Sequence, residues 1–354
     1  MCLIEFAERA SYYGSIGPFN NFINRGLPVG GNGAGAVAPG AAGLQQSAGA
    51  LGMGSVAATG IVQMFTFLAY VIPFWGAYSA DTQIGRFKAI AIGCAVGAVA
   101  HMMLVIPAIP QVIAVPKASL ATFIISIVTL AGAAGYIKPS LGPLLCDQIP
   151  VKQPTLSVTK SGERVIIDPG VTVERWLLLF YWSINIGAFT AIATSYSARF
   201  VGFWLAFLIP GLIYMIMPVV LILISKKLYK APPQGSVMVE CVKVFRHLLA
   251  DGGLKRMWKG GDNFWNRAKP SWIAAQNHGH LDITKVFWDD KFVDEIKQSL
   301  HACAVFFIIP IFNLGNGGIG NSLNSMSTAM TLNGAPNDLI SSRSSPQNIK
   351  VFLG

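Results

Sequence analysis

Charge is what this chain has least of. Only 12% of its 354 residues are Asp, Glu, Lys or Arg, where soluble domains carry roughly 25%. With 53% hydrophobic residues and a mean hydropathy of +0.53, the composition excludes an ordinary water-soluble domain. Cysteine is scarce and scattered: Cys2, Cys94, Cys146, Cys241 and Cys303 form no CxxC pair and no zinc spacing, which excludes a disulfide scaffold. His278 and His280 lack acidic or cysteine companions at ligand spacing, so no metal site is expected. A nucleophile–base pair near a cavity is likewise absent, so no enzyme is expected. The opening stretch is interrupted by Glu5, Glu8 and Arg9 and is therefore no cleavable signal peptide. The net charge of +10 does not point to nucleic acid, because the basic residues gather beside apolar runs.

Those runs are what the sequence does have. A helix needs about 20 mainly apolar residues to cross the hydrocarbon layer. Residues 1–24, 55–77, 89–109, 119–146, 175–196, 200–225 and, more weakly, 299–320 meet that requirement. Prolines inside them (Pro73, Pro139, Pro210, Pro218, Pro310) suit a helical bundle, where neighbours satisfy the freed carbonyls. Gly93-x3-Gly97 and Gly132-x2-Gly135 suit close helix approach. Loops after odd-numbered spans hold only Arg25, Lys117 and Arg199. Loops after even-numbered spans hold Arg86, Lys88, Lys152, Lys160, Arg164, Arg175 and a dense block over 226–297. This bias puts the even loops and the amino terminus in the cytoplasm. Residues 26–54, uncharged after Arg25 and rich in Gly and Ala, read as a mobile extracellular loop. Val237–Leu249 reads as an amphipathic helix on the inner membrane face.

Three polar features lie at membrane depth, where a charge costs about 2.5–3.5 kcal/mol on insertion scales and is usually functional. Glu5, Glu8, Arg9 and Tyr12 share one helical face. On that face Arg9 can pair with Glu5 while Glu8 reaches Tyr12. A carboxylate beside an arginine can take up or release a proton as its partner moves, which points to a proton-driven carrier. Lys138 lies roughly 13 Å from the inner end of its span at 1.5 Å per residue. That is too deep to snorkel, so it needs a carboxylate or a wet cavity. Asn185 is a lone amide in mid-span, either polar glue between helices or a ligand group.

Four motifs accompany these residues. They are Glu5-x2-Glu8-Arg9-x2-Tyr12-Tyr13-Gly14, then Gly76-Ala77-Tyr78-Ser79-Ala80-Asp81-x3-Gly85-Arg86-Phe87-Lys88, then Gly135-Tyr136-Ile137-Lys138-Pro139 with Asp147-Gln148, and Phe180-Tyr181-Trp182-Ser183-Ile184-Asn185-Ile186-Gly187. Together they resemble the proton-dependent oligopeptide transporter family, particularly its fungal di- and tripeptide carriers, over residues 1 to about 340.

The resemblance implies an all-α membrane protein of the major facilitator type, an amino-terminal six-span bundle plus about one further span. It implies symport of di- or tripeptides by alternating access, with protons as the coupling ion and no cofactor. Nitrate or another small anion is the other substrate class within the family. Glu5, Glu8 and Arg9 would form the proton-responsive cluster. Arg9, Tyr12, Tyr13, Tyr70, Lys138 and Asn185 would line the peptide site, Lys138 and Arg9 taking the peptide carboxylate, with Trp182 left to packing. Asp81 and Arg86 would belong to a gating loop whose partner lies in a second bundle.

The implied division is 1–225 as the bundle, 226–298 as a cytoplasmic linker, 299–340 as a partial seventh span and 341–354 as a non-homologous tail. Family members have twelve spans, so a missing carboxy-terminal bundle is expected as partner, alongside the lipid bilayer and a peptide substrate. A truncated, non-transporting or regulatory remnant is the alternative, and the plasma membrane the expected location. Ile16 stands where many bacterial members carry a second arginine, so their outer gate does not carry over.

Overall fold

The computed structural model describes all residues except 39, 41–45, 150–152, 159–161, 234, 236, 251–260, 277–285, 287, 314–335 and 338–354, with 261–263 and 313 described by backbone alone. It falls into two compact units, Met1–Pro233 with Ile319–Gly354, and Gln234–Gly318. His278 and His280 lie outside the described residues.

The first unit is a helical bundle. Five of its helices are long and apolar enough to cross a membrane: α2 (Gly54–Ile84), α3 (Arg86–Ala108), α4 (Pro116–Asp147), α5 (Pro169–Phe200) and α6 (Phe203–Ile224). They surround α1 (Cys2–Asn24), which packs against α2, α5 and α6. The charged and amide residues of α1 lower its own hydropathy, and its burial among the other five compensates. Phe19 and Phe22 anchor it in an aromatic core with Phe65, Phe123, Phe203 and Phe207. Edge-on ring pairs in that core, such as Phe19–Phe123 at 5.0 Å and Phe22–Phe203 at 5.1 Å, each add about 0.5–1.5 kcal/mol beyond area burial.

Local chemistry sets the boundaries. Asp168 accepts a hydrogen bond from the Gly170 N–H at 2.8 Å and Pro169 follows it, so the cap and the fixed proline torsion begin α5 together. The chain reverses between α2 and α3 at Gly85, whose φ of +82° favours glycine. α2 and α4 touch through backbone: a Cβ at Gly76 would strike the Gly135 carbonyl, and one at Gly135 would strike Ile72. Gly93 serves the α3–α4 contact, where a Cβ would lie 2.7 Å from Ile137. Gly132, expected to share this role, has nothing within 4 Å of its Cβ direction.

Two stretches of the segment after α1, 34–37 and 47–51, are packed against the bundle. Ala34, Ala36, Val37, Ala48, Ala50 and Leu51 are buried. The Phe203 N–H donates to the Ala34 carbonyl at 3.0 Å, and the Val37 N–H to the Arg199 carbonyl at 2.9 Å. Small side chains let this segment lie flat over the end of the bundle. Between α4 and α5 stands a two-stranded antiparallel hairpin, β1 (Thr155–Val158) with β2 (Arg164–Ile167), that the sequence reading did not anticipate.

The second unit has its own core. α7 (Val237–Leu249) buries Val244 and Leu248 against Phe264, Ala268, Trp288, Val293 and Ile296. Val244 and Leu248 thus face this core, while Val237, Met238 and Val242 stay exposed. The Trp288 indole N–H donates to the Ala268 carbonyl at 2.8 Å, and Lys269 pairs with Asp294 at 2.8 Å. α8 (Asp290–Cys303) begins before residue 299 because Asp289 caps it, accepting from the Phe292 N–H at 2.8 Å.

Candidate functional site

The stripe on α1 forms one buried cluster. Glu5 and Glu8 are buried, and the Arg9 side chain is 14% exposed. The Arg9 Nε carries a single proton and donates it to Glu5 Oε1 at 2.9 Å. Glu8 Oε2 lies 2.6 Å from the same nitrogen, yet receives no hydrogen bond. Two carboxylates thus share a nitrogen that can serve only one of them. Among the described residues no hydrogen bond joins Glu8 to Tyr12, contrary to expectation. Opposite charge in a poorly solvated site attracts the carboxylate more strongly than a phenol does.

Lys138 meets the cluster from α4. Its ammonium lies 4.4 Å from the Tyr12 ring centroid and 5.5 Å from that of Tyr70 on α2. Aromatic faces attract a cation without using its N–H groups as ordinary hydrogen bonds would. Among the described residues no carboxylate lies within ion-pair distance of Lys138. Glu5, Glu8, Arg9 and Lys138 together carry two charges of each sign, a formally neutral set. The Arg9 guanidinium is itself 5.7 Å from the Tyr12 ring, so both cations lie near that ring. Tyr12 is fixed edge-on to Tyr13 at 5.5 Å and stacked on Phe65 at 5.8 Å.

A cavity of about 10 Å³ lined by Glu8, Ser11, Tyr12, Ile137 and Tyr214, among others, has room for about one water. Tyr70, beside Lys138, is 68% exposed.

At the α2–α3 turn, Arg86 Nη1 pairs with Asp147 of α4 at 2.8 Å and Arg86 Nε with Asp81 at 3.4 Å. Arg86 thus bridges two acidic groups within the first unit. Gln148, next in sequence, joins α4 to the chain beyond α6. Its Nε2 donates to the Tyr229 carbonyl at 2.9 Å, and its Oε1 accepts from the Tyr229 N–H at 2.8 Å.

Residues 87–338 match the model of the POT family. The chain belongs to the POT family. It is 42% identical over 343 residues to the peptide transporter PTR2 of Candida albicans, covering 96% of this chain and 54% of that one. It is 40% identical over 341 residues to the MFS-type transporter ucsM of an Acremonium species, covering 96% and 55%. A crystal structure of an auto-inhibited POT family peptide transporter shares the fold at a TM-score of 0.61, with 18% identity over 99% of this chain and 65% of that one. The chain spans about half the length of the curated relatives it matches.

Within this POT fold, α5 approaches α1 at Gly187, where a Cβ would lie 2.8 Å from the Ala10 nitrogen and 3.1 Å from the Arg9 Cβ. Gly187 thereby brings the Asn185 helix against the charged stripe, a role the sequence reading missed although the residue closes the fourth motif. Asn185 itself is not joined to the cluster by a hydrogen bond. Its Nδ2 donates to the Tyr181 carbonyl one turn earlier at 2.9 Å, leaving its carbonyl oxygen to other partners. Trp182, assigned to packing from sequence, is 56% exposed. It shares the outward face of α5 with Tyr181 and Leu178.

Proposed function

We propose that this chain provides the amino-terminal half of a proton-coupled symporter of di- and tripeptides, working by alternating access with protons as its only coupling ion. The observation that carries the reading is the contested Arg9 Nε, one N–H between two buried carboxylates, a short distance from a lysine held on aromatic faces. When Glu8 or Glu5 takes a proton, the negative charge holding Arg9 falls by one. Arg9 and Lys138 are then available to a peptide's terminal carboxylate. Tyr12, Tyr13 and Tyr70 pack against the bound peptide, and the Asn185 oxygen accepts from its backbone or amino end. Proton and peptide so favour the same state, as coupling through differential affinity requires. The Arg86–Asp81–Asp147 ion pairs act at the cytoplasmic end as the gating contact. No bond in the peptide is made or broken.

The Candida relative named as a peptide transporter supports peptides over other solutes, and the multi-pass family fold fits a site in the plasma membrane. The test is a chimera joining residues 1–338 to the remaining carboxy-terminal part of that relative, reconstituted in liposomes. An inward proton gradient should drive uptake of a labelled dipeptide above that of empty vesicles. A folded chimera that transports nitrate or another small solute, and no dipeptide, would overturn the peptide reading.

A further inference from the structure

The hairpin between α4 and α5 plays no part in the site above. Its register pairs Leu156 with Ile166 and Val158 with Arg164. Directly paired residues point to the same face of a sheet, as do residues two apart on one strand. These four side chains therefore share a face. On it Leu156, Val158 and Ile166 are 69%, 62% and 71% exposed. The opposite face holds Thr155, Ser157, Val165 and Ile167, of which Ser157 and Ile167 are partly buried. The bare aliphatic face is thus the outward one. A lone two-stranded ribbon is marginal in water, and this one turns its apolar side chains away from the protein.

The chain itself fixes what lies beside that face. Asp168 alone separates Ile167, at the end of β2, from Pro169, at the start of α5. The strand therefore ends no more than about 8 Å from a helix of membrane-spanning length. Trp176 on α5 is exposed and followed by the exposed Leu177, Leu178 and Leu179. A tryptophan at the head of an apolar run suits the headgroup level. Pro169 lies about 10 Å from it along the helix, less than the roughly 13 Å that a four-residue strand spans. The ribbon can thus fold back onto the bilayer surface.

Charge agrees with that placement. The bias of basic residues puts this loop on the cytoplasmic side, where the leaflet is rich in anionic lipid. Arg164 is exposed on the aliphatic face. Between residues 152 and 167 the sequence has Lys152, Lys160 and Arg164 against Glu163 alone.

We propose that the β1–β2 hairpin docks on the anionic cytoplasmic leaflet, with Leu156, Val158 and Ile166 seated below the headgroups and Arg164 at their phosphates. Apolar burial and attraction to anionic lipid together hold amphipathic helices at an interface, and here a strand pair presents the same combination. The ribbon pins the inner ends of α4 and α5 to the lipid surface. The inference rests on the spans and their sidedness, not on the identity of the transported solute.

Spin labelling of the full chain in nanodiscs tests this without any transport. With the native cysteines replaced by serine, single cysteines at Leu156, Ile166 and Thr155 carry a nitroxide. Leu156 and Ile166 are exposed, so labels there leave the bundle core untouched. In phosphatidylcholine discs containing phosphatidylserine, labels at 156 and 166 should collide with oxygen, which concentrates in the bilayer. A water-soluble nickel chelate should reach them several-fold less than the label at 155. Removing phosphatidylserine, or adding Arg164→Gln, should return the chelate to both positions.

Three results would each overturn the docking. Labels at 156 and 166 as open to the chelate as the label at 155 would mean that water covers the face. Labels shielded from both reagents, in the full chain or in the transporting chimera, would mean that protein covers it. Shielding from the chelate that is the same with and without phosphatidylserine would remove the anionic headgroup from the account. A Leu156→Asp/Ile166→Asp variant gives a second readout: trypsin should cut it after Arg164 several-fold faster than the parent in phosphatidylserine discs. Equal cleavage rates would also count against the docking. A chimera that carries no peptide while these readings hold would count against the peptide reading alone.

Discussion

Arg9 is the side chain on which the charged stripe depends. Its removal leaves Glu5 and Glu8 buried with no cation in contact, a change that costs about 3–5 kcal/mol for buried ion pairs. Arg9→Met should therefore lower the thermal midpoint in detergent sharply, and adding Glu5→Gln and Glu8→Gln should recover most of the loss. A triple variant as unstable as Arg9→Met would mean that Arg9 matters for packing and not for charge. Glu8→Gln alone should abolish gradient-driven uptake in the chimera while leaving peptide exchange partly intact, because exchange needs no net proton movement. Gradient-driven uptake at parental rates would remove Glu8 from the coupling cluster.

Sequence spacing made part of this cluster legible. Glu5 and Arg9 are an i, i+4 pair, and that contact forms. The Glu8–Arg9 contact was not legible, because adjacent positions point in different directions around a helix. Only the length and flexibility of the two side chains bring them together. Lys138 was singled out from sequence by its depth in the span, and the fold brings it to the Tyr12 and Tyr70 rings. What holds it could not be read from α4 alone, because the aromatic faces come from α1 and α2.

Helix contacts provide a sharper comparison. Gly76 and Gly132 are both glycines inside spans, yet only Gly76 meets backbone from another helix. Gly76→Ala should push α2 from α4 and cost about 1–3 kcal/mol, the usual range for overpacking. Gly132→Ala has open space around it and should be neutral or slightly stabilising through helix propensity. Thermal unfolding of the two variants in the same detergent checks the contrast; equal losses would refute the assigned contacts. Gly–x–Gly spacing shows which glycines share a face, whereas helix rotation in the bundle decides which one is used. The segment after α1 offers a related lesson: its Gly and Ala content reads as mobile, but small side chains are also what permit close packing near Phe203. The exposed β1–β2 hairpin buries little, so its sequence carries no strong apolar alternation to reveal it.

For the molecule as a whole, helical class and family motifs were legible because membrane insertion imposes long apolar helices whatever the details. The aromatic cradle of Lys138, the Arg86–Asp147 pair and the core of the Gln234–Gly318 unit were not, because each depends on how distant segments meet. The proposed function requires that Lys138, inside a span-length apolar helix, face water and a peptide carboxylate.

Thiol modification at that position tests this most directly. In the chimera, with the native cysteines replaced by serine, a Lys138→Cys variant should react with a hydrophilic, charged thiol reagent. A dipeptide should slow the reaction, and the same dipeptide with its terminal carboxylate converted to an amide should protect far less in the lysine-bearing parent's binding assay. A position that stays unreactive under every gradient and substrate condition, or parental binding that does not distinguish acid from amide, would contradict the placement of Lys138 in the peptide site.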